Sequence, residues 1–233
     1  MKKALALLII GLILMSCTSY EGDTKIIYEG RVLDATGNPL AGIPVNILVK
    51  RTIGIWAFPI LYSRDTDLIS YTTTDAMGRY KLIFPKPKDG ATMSLLLNFY
   101  NPATAAYPNL SSTVVYNLLE QNNTDYKVTF SDNKLYDIAN SVPLTIQFNP
   151  QSGKVIQKMN LKGLVRENYI DYNLDLVEED TTPWINNFNN VVQVAPNQTL
   201  TIEYQVQDQS GNITVQEAQV QINDQALTYQ LNY

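Results

Sequence analysis

The chain of 233 residues contains no histidine and a single cysteine, Cys17. The lack of histidine excludes Ser-His-Asp and Cys-His catalytic sites as well as His-ligated zinc sites. One cysteine cannot form a disulfide within the chain, so the fold must be held by the burial of apolar side chains. Apolar residues make up 45% of the sequence, which is enough for a sizeable core at this length.

The sequence also lacks the usual signatures of nucleotide-binding and acyl-transfer enzymes. It has no P-loop, and no G-x-G-x-x-G motif follows an expected strand. The S-x-x-K letters at residues 131–134 overlap with S-D-N in one polar turn, and no K-T-G motif accompanies them. A carboxylate pair for glycoside hydrolysis would meet only in the fold, and no segment marks one. We therefore predict a non-enzymatic protein that needs no metal or cofactor.

The first residues have the pattern of a secretory leader. Lys2 and Lys3 precede an apolar run over residues 4–14, which predicts a signal peptide over residues 1–16. At about 1.5 Å per residue in a helix, the run spans roughly 17 Å and is too short for a bilayer core of about 30 Å. A transmembrane helix is therefore not expected here.

The leader ends in Leu-Met-Ser-Cys at residues 14–17, which resembles the lipobox of bacterial lipoproteins. The resemblance implies cleavage before Cys17 and lipidation of its sulfur, with each buried CH₂ contributing about 0.8 kcal/mol to anchoring. Thr18 in place of Asp resembles outer-membrane sorting in enterobacterial lipoproteins. Acidic residues in the polar tether 17–24 resemble the surface-export signal of Bacteroidetes lipoproteins. These resemblances imply a lipid anchor in the outer membrane, on its periplasmic or its cell-surface face.

The charge balance argues against one class of partner. Removal of Lys2 and Lys3 from the 17 basic residues leaves 15 against 22 acidic residues, a net charge of −7. A phosphate backbone would be repelled by such a surface, so we do not expect nucleic acid as a partner. The same charge favours solubility.

Short alternating runs separated by Gly, Pro, Asp and Asn predict an all-β chain. Only residues 114–119 are expected to form one or two helical turns. The strict alternation over residues 200–206, with residues 213–222 after a turn, predicts a hairpin with one buried and one solvent-exposed face. Its second strand changes phase, and a bulge near Glu217 would explain this change. The other strands are expected at residues 26–34, 45–49, 68–74, 80–84, 94–99, 127–131, 144–148 and 155–161.

Three motifs follow one another in the first third of the chain: GRVLD at residues 30–34, GNPLAGIPV at 37–45 and TDAMGRY at 74–80. They resemble the carboxypeptidase-regulatory-like domains, which have a transthyretin-like fold. The resemblance implies a transthyretin-like or immunoglobulin-like β-sandwich with insertions over residues 25–163. A shift toward Asn and Gln after Gly163 predicts a smaller antiparallel β-domain over residues 164–233. Such folds serve as stalks, plugs, adhesin modules and glycan-binding accessories, so the fold alone does not identify the function.

The most apolar stretch after the leader, residues 54–62, contains Trp56, Phe58 and Tyr62. These aromatic rings could stack on a sugar or meet a partner protein, or they could fold over the open end of the sandwich. Trp184 and Phe188 are expected at an interdomain contact. The acidic segments 65–67 and 178–180 lack the spacing of a calcium loop and are interpreted as solvated turns.

The sequence thus favours a non-enzymatic outer-membrane lipoprotein that acts as a binding or structural module at the cell envelope. The alternative is a surface glycan-binding accessory protein that uses the aromatic segment 54–62. The expected partners are the membrane, through the N-terminal lipid, and a glycan or an envelope protein.

Overall fold

The computed structural model describes residues 20–53, 63–88, 91–99, 107–118, 126–151, 153–172, 174 and 190–233. These residues form four β-sheets and one short 3₁₀ turn at Ile138–Asn140. The expected all-β class with a β-sandwich is therefore confirmed.

Fifteen strands make up the described part of the chain. In chain order they are β1 Tyr20–Asp34, β2 Pro44–Ile53, β3 Ser63–Thr73, β4 Arg79–Pro87, β5 Ala91–Leu97, β6 Ser112–Leu118, β7 Lys127–Thr129, β8 Asn133–Leu135, β9 Val142–Asn149, β10 Val155–Lys162, β11 Glu167–Asp171, β12 Val191–Val194, β13 Gln198–Gln207, β14 Ile213–Ile222 and β15 Leu227–Asn232.

The first sandwich packs the sheet β4-β1-β7, with β8 also paired to β1, against the sheet β11-β6-β5-β2-β3. Alternate residues of the strands point into its core, as the period of two requires. Tyr28 lies at the centre, and its ring meets those of Phe84 and Phe130 edge to face at 5.1 and 5.2 Å. Aromatic pairs of this geometry add to the stabilisation from burial.

The second sandwich packs the sheet β10-β13-β14 against the sheet β12-β9-β15. Its core is largely aliphatic, with Leu144, Ile146 and Ile202 fully buried. Strand β15 pairs in parallel with β9, so this unit is not wholly antiparallel as expected.

The expected boundary near Gly163 does not coincide with the division between the two cores. Strands β9 and β10 precede Gly163, yet they contribute Leu144 and Ile156 to the second core. Strand β11 follows Gly163, yet it pairs in parallel with β6 of the first sandwich. Strands β9 and β10 therefore belong to the second sandwich, β11 belongs to the first, and β12 to β15 complete the second. A composition shift cannot reveal such a crossing, because each crossing strand is short.

Three local predictions were wrong. Residues 65–67 lie within strand β3 and pair with residues 49–51 of β2, rather than forming a turn. Residues 112–118 form strand β6 rather than helical turns, and Thr113 and Val115 are buried on it. No bulge occurs near Glu217, since β13 and β14 pair without a register shift from Gln198↔Ile222 to Gln207↔Ile213. The phase change arises because Val215 lies on the outer face, where it is 47% exposed.

Candidate functional site

The residues expected to carry function lie outside the described residues. This holds for Cys17, for Trp56, Phe58 and Tyr62, for Trp184 and Phe188, and for the acidic segment 178–180, so their roles stay predictions. Within the described ranges, no three His, Cys, Asp or Glu side chains are grouped to hold a metal ion. In the same ranges, no helix is long and apolar enough to cross a membrane.

The structure does locate the attachment of the aromatic segment 54–62. Strands β2 and β3 pair from Pro44↔Thr73 to Ile53↔Ser63, so the segment connects the last rung of this hairpin. The described pairing of β2 with β5 reaches Arg51↔Ala91. Ile53 and Ser63 lie at the end of the hairpin opposite to Pro44 and Thr73, which are near the motif turns described next.

The first motif turn is organised by one carboxylate. Asp34 Oδ1 accepts hydrogen bonds from the backbone N–H groups of Thr36 at 2.9 Å and Asn38 at 2.8 Å. The side chains of Asn38 and Thr36 also donate to Asp34, and together these bonds lower the pKa of its carboxyl to about 2. Gly37 adopts a φ of 96°, a conformation that glycine reaches without strain.

The same turn occurs twice more in the chain. Asp75 Oδ1 accepts from the backbone N–H groups of Met77 and Arg79, both at 2.8 Å. Asp208 Oδ1 accepts from those of Ser210 and Asn212 at 2.8 and 2.9 Å, and the bonds from Asn212 lower the Asp208 pKa. All three turns share the sequence D-x-x-G, and their glycines have positive φ. This shared pattern is a sequence signal that is missed when each turn is considered separately.

The glycines of the motifs are required by close packing. Gly30 pairs with Tyr80 across β1 and β4, and a Cβ at Gly30 would lie 2.5 Å from the Tyr80 hydroxyl oxygen. Tyr80 is buried over this glycine, and its burial raises its pKa. Val32 N–H donates to the Gly78 carbonyl at 2.7 Å, and a Cβ at Gly78 would overlap the Val32 carbonyl oxygen. The motifs therefore build one closed corner of the first sandwich, which is a structural role.

A second organised region joins the two sandwiches. Asn160 on β10 is buried and bonds both main-chain groups of Asp171 on β11: its Nδ2 donates at 3.0 Å and its Oδ1 accepts at 2.8 Å. Lys158 Nζ lies 3.4 Å from the Asp171 carboxylate, and Gln205 Nε2 donates to the Leu174 carbonyl at 3.0 Å. Asn160 of β10 and Gln205 of β13 thus bond the backbone of Asp171 and Leu174 with their side chains, where a paired strand would use its own backbone. Sequence reasoning did not find this junction, because the residues of the two strands meet only in the fold.

An open, polar depression lies at one end of the second sandwich. The lining is formed by amide, carboxylate and small apolar side chains from Asn197, Gln221, Asn223, Asp224, Gln225, Ala226 and Leu227. Amides and a single carboxylate can exchange hydrogen bonds with solvent or a polar ligand. They do not provide a nucleophile paired with a base, which covalent catalysis needs.

Comparison with known proteins leaves the family open. No protein-family model matches the chain, and no curated protein matches it. Solved structures do match. The shaft pilin SpaA from Lactobacillus rhamnosus GG is 13% identical over 90% of this chain and 97% of its own, with a TM-score of 0.29. The tip fimbrial protein Mfa3 from Porphyromonas gingivalis is 10% identical over 83% of this chain and 81% of its own, with a TM-score of 0.27.

Enzymes also appear among the similar structures. A 9R-lipoxygenase from Cyanothece is 16% identical and has a TM-score of 0.27, and this chain spans 20% of its length. A 3-chlorocatechol 1,2-dioxygenase from Rhodococcus opacus is 14% identical with a TM-score of 0.30, and the match spans 64% of its length. At such low identities and TM-scores, none of these similarities assigns an activity or a partner to this chain.

Proposed function

We propose that this chain is a non-enzymatic lipoprotein of the outer membrane that acts as a structural or binding module at the cell envelope. The observation that supports it best is the use of the buried polar side chains. The side-chain amides of Asn98, Asn160 and Gln205 all donate hydrogen bonds to backbone carbonyl groups, and these bonds hold strands and loops together. A catalytic group would instead have to point into a cleft toward a substrate.

The proposed mechanism is tethering. Acyl chains on Cys17 would hold the two sandwiches at the membrane, and this would raise their effective concentration for a partner in the same envelope. The pilin, fimbrial and adhesion proteins among the similar structures are in line with a surface module. The lipid anchor and the carboxypeptidase-regulatory-like assignment rest on the residues 14–17 and 30–80 of the sequence.

Protease treatment of intact cells tests the location. We expect a large protease to digest the wild-type protein while a periplasmic marker survives, if the module faces the exterior. A Cys17→Ala variant is the matched control, and we expect it to leave the membrane fraction. Retention of Cys17→Ala in the outer membrane would contradict lipid anchoring, whichever face the module occupies.

The alternative function is glycan binding by the aromatic segment 54–62. It rests on the aromatic residues Trp56, Phe58 and Tyr62 of this segment, which joins Ile53 to Ser63 at the last described pair of the β2–β3 hairpin. On this hypothesis, Trp56→Ala abolishes binding on a glycan array. Tyr71→Ala is a matched control, because Tyr71 is 59% exposed on strand β3 of the same hairpin but lies toward its other end. Equal binding by wild type and Trp56→Ala, or binding to no glycan, would count against this function.

A further inference from the structure

The sheets of both sandwiches end in edge strands whose outer N–H and C=O groups could pair with another chain. Proteins usually protect such edges with short strands, prolines, charges or bulges. Most edges in the described part of this chain follow that rule. Strands β7 and β8 have three residues each, and β12 has four. Strand β4 contains Pro85 and Pro87, and β3 has a register shift opposite Ile47.

Strand β14 has few of these protections. It forms the edge of the sheet β10-β13-β14 and pairs with β13 without interruption over ten positions, Ile213–Ile222. Its sequence, ITVQEAQVQI, has one charged residue and contains no proline, glycine or lysine. Val215 on its outer face is 47% exposed, and its neighbours on that face are Ile213 and Glu217, the one charged residue of the strand. A long, regular edge of low charge is a template for strand addition.

The sequence of β14 also allows two copies to pair without placing like charges opposite each other. Directly opposite residues of an antiparallel pair share one face of the sheet. An antiparallel pair of β14 strands centred on Ala218 would place Gln219 of each copy opposite Glu217 of the other. The same register aligns Thr214 with Ile222 and Gln216 with Val220 on the inner face. A register centred on Glu217 would instead bring two carboxylates together, which is unfavourable.

We propose that the free edge of β14 binds the β14 edge of a second copy of this chain, antiparallel and centred on Ala218. The two sheets would join into one sheet of six strands that runs across both molecules. Main-chain hydrogen bonds would supply the affinity, and the Glu217–Gln219 contacts would fix the register. The side chain of Glu217 is 58% exposed and lies 3.8 Å from Lys162, so it remains accessible on this edge. This interface does not depend on the lipid anchor or on any glycan.

The register can be tested by replacing Gln219 with side chains of opposite charge. Gln219→Glu would place a carboxylate opposite Glu217 at two symmetric contacts, and Gln219→Lys would place an ammonium group there. For cross-strand pairs of this kind, we expect the dimer Kd to rise roughly two- to thirty-fold in Gln219→Glu and to fall by a similar factor in Gln219→Lys. The measurement is sedimentation equilibrium of the full chain over a concentration series, with Cys17→Ala in every sample so that no lipid contributes to association.

Thermal unfolding of each variant at low concentration is the control for folding, and Gln219 is exposed, so the monomer midpoints are expected to agree. A wild-type chain that stays monomeric up to about 1 mM would overturn the proposal, because it would place the Kd above the weakest specific range. A dimer whose Kd is the same in Gln219→Glu and Gln219→Lys would also overturn it, since association would then use another surface.

Discussion

The two sandwiches are built by different means, although both are all-β. The corner of the first sandwich is formed by direct backbone contact: the turns after Asp34 and Asp75 lie against each other, and Gly78 packs on Val32. The second sandwich is assembled from separate parts of the chain, and amide side chains such as Asn160 fasten it to the first. The comparison teaches that backbone contacts at glycines can close a corner, whereas the junction between the two units uses buried polar side chains of one strand to bond the backbone of another.

The comparison is tested most strongly at two glycines of the same turn type. Gly78 and Gly211 both have positive φ, at 71° and 84°. A Cβ at Gly78 would overlap backbone in the first sandwich, while nothing lies within 4 Å of one at Gly211. We expect Gly78→Ala to lower the free energy of unfolding by about 3 kcal/mol or more, and Gly211→Ala by about 1 to 2 kcal/mol. Urea denaturation measures both, and equal losses would show that the corner is not closely packed.

The junction is tested by removing its amide. Asn160→Ala would leave both main-chain groups of Asp171 without their partner in a buried place, so we expect a loss of about 2 to 3 kcal/mol in the free energy of unfolding. Gln157→Ala on the same strand is the control, because Gln157 bonds only the Gln207 side chain in a part-buried pair at 2.7 Å. We expect that control to lose about 0.5 to 1 kcal/mol. If the two variants lose the same amount, the junction does not couple the sandwiches energetically.

The smallest effect concerns pH. The pKa of Asp34 is lowered from 3.8 to about 2 by hydrogen bonds from Asn38 and Thr36, so the ionised carboxylate is favoured in the folded state. Its stabilisation is complete above about pH 4 and is lost as the pH falls through about 2. We expect Asp34→Asn to lower the Tm at pH 5 and to approach the wild-type Tm near pH 2. A Tm difference that does not shrink on acidification would show that the charge of Asp34 is not responsible.

Asp208→Asn makes the corresponding change in the second sandwich, where the carboxyl pKa is also lowered. We expect the same direction of pH dependence, because Asn212 and Ser210 donate to Asp208 as Asn38 and Thr36 donate to Asp34. A pH effect in only one sandwich would mean that the shared D-x-x-G sequence does not produce the same electrostatics in both places.

The sequence predicted well where the signal is local. The strand at residues 80–84 and the β13–β14 hairpin could be identified, because a period of two acts between near neighbours. It failed where distant contacts decide. Residues 114–119 are expected to form one or two helical turns, yet β5 on one side and β11 on the other hold residues 112–118 in strand β6. The candidate ligand residues Trp56, Phe58 and Tyr62 remain predictions.

By itself, the sequence determined the all-β class, the exclusion of histidine chemistry and the turns closed by Asp34, Asp75 and Asp208. Each of these depends on composition or on residues within one turn of each other. Only the tertiary structure decided that the chain returns to the first sandwich at β11 and that Asn160 bonds Asp171 across the junction. The physical reason is that a strand is stable only with its neighbours, and which neighbours it finds depends on pairing between segments far apart in the chain.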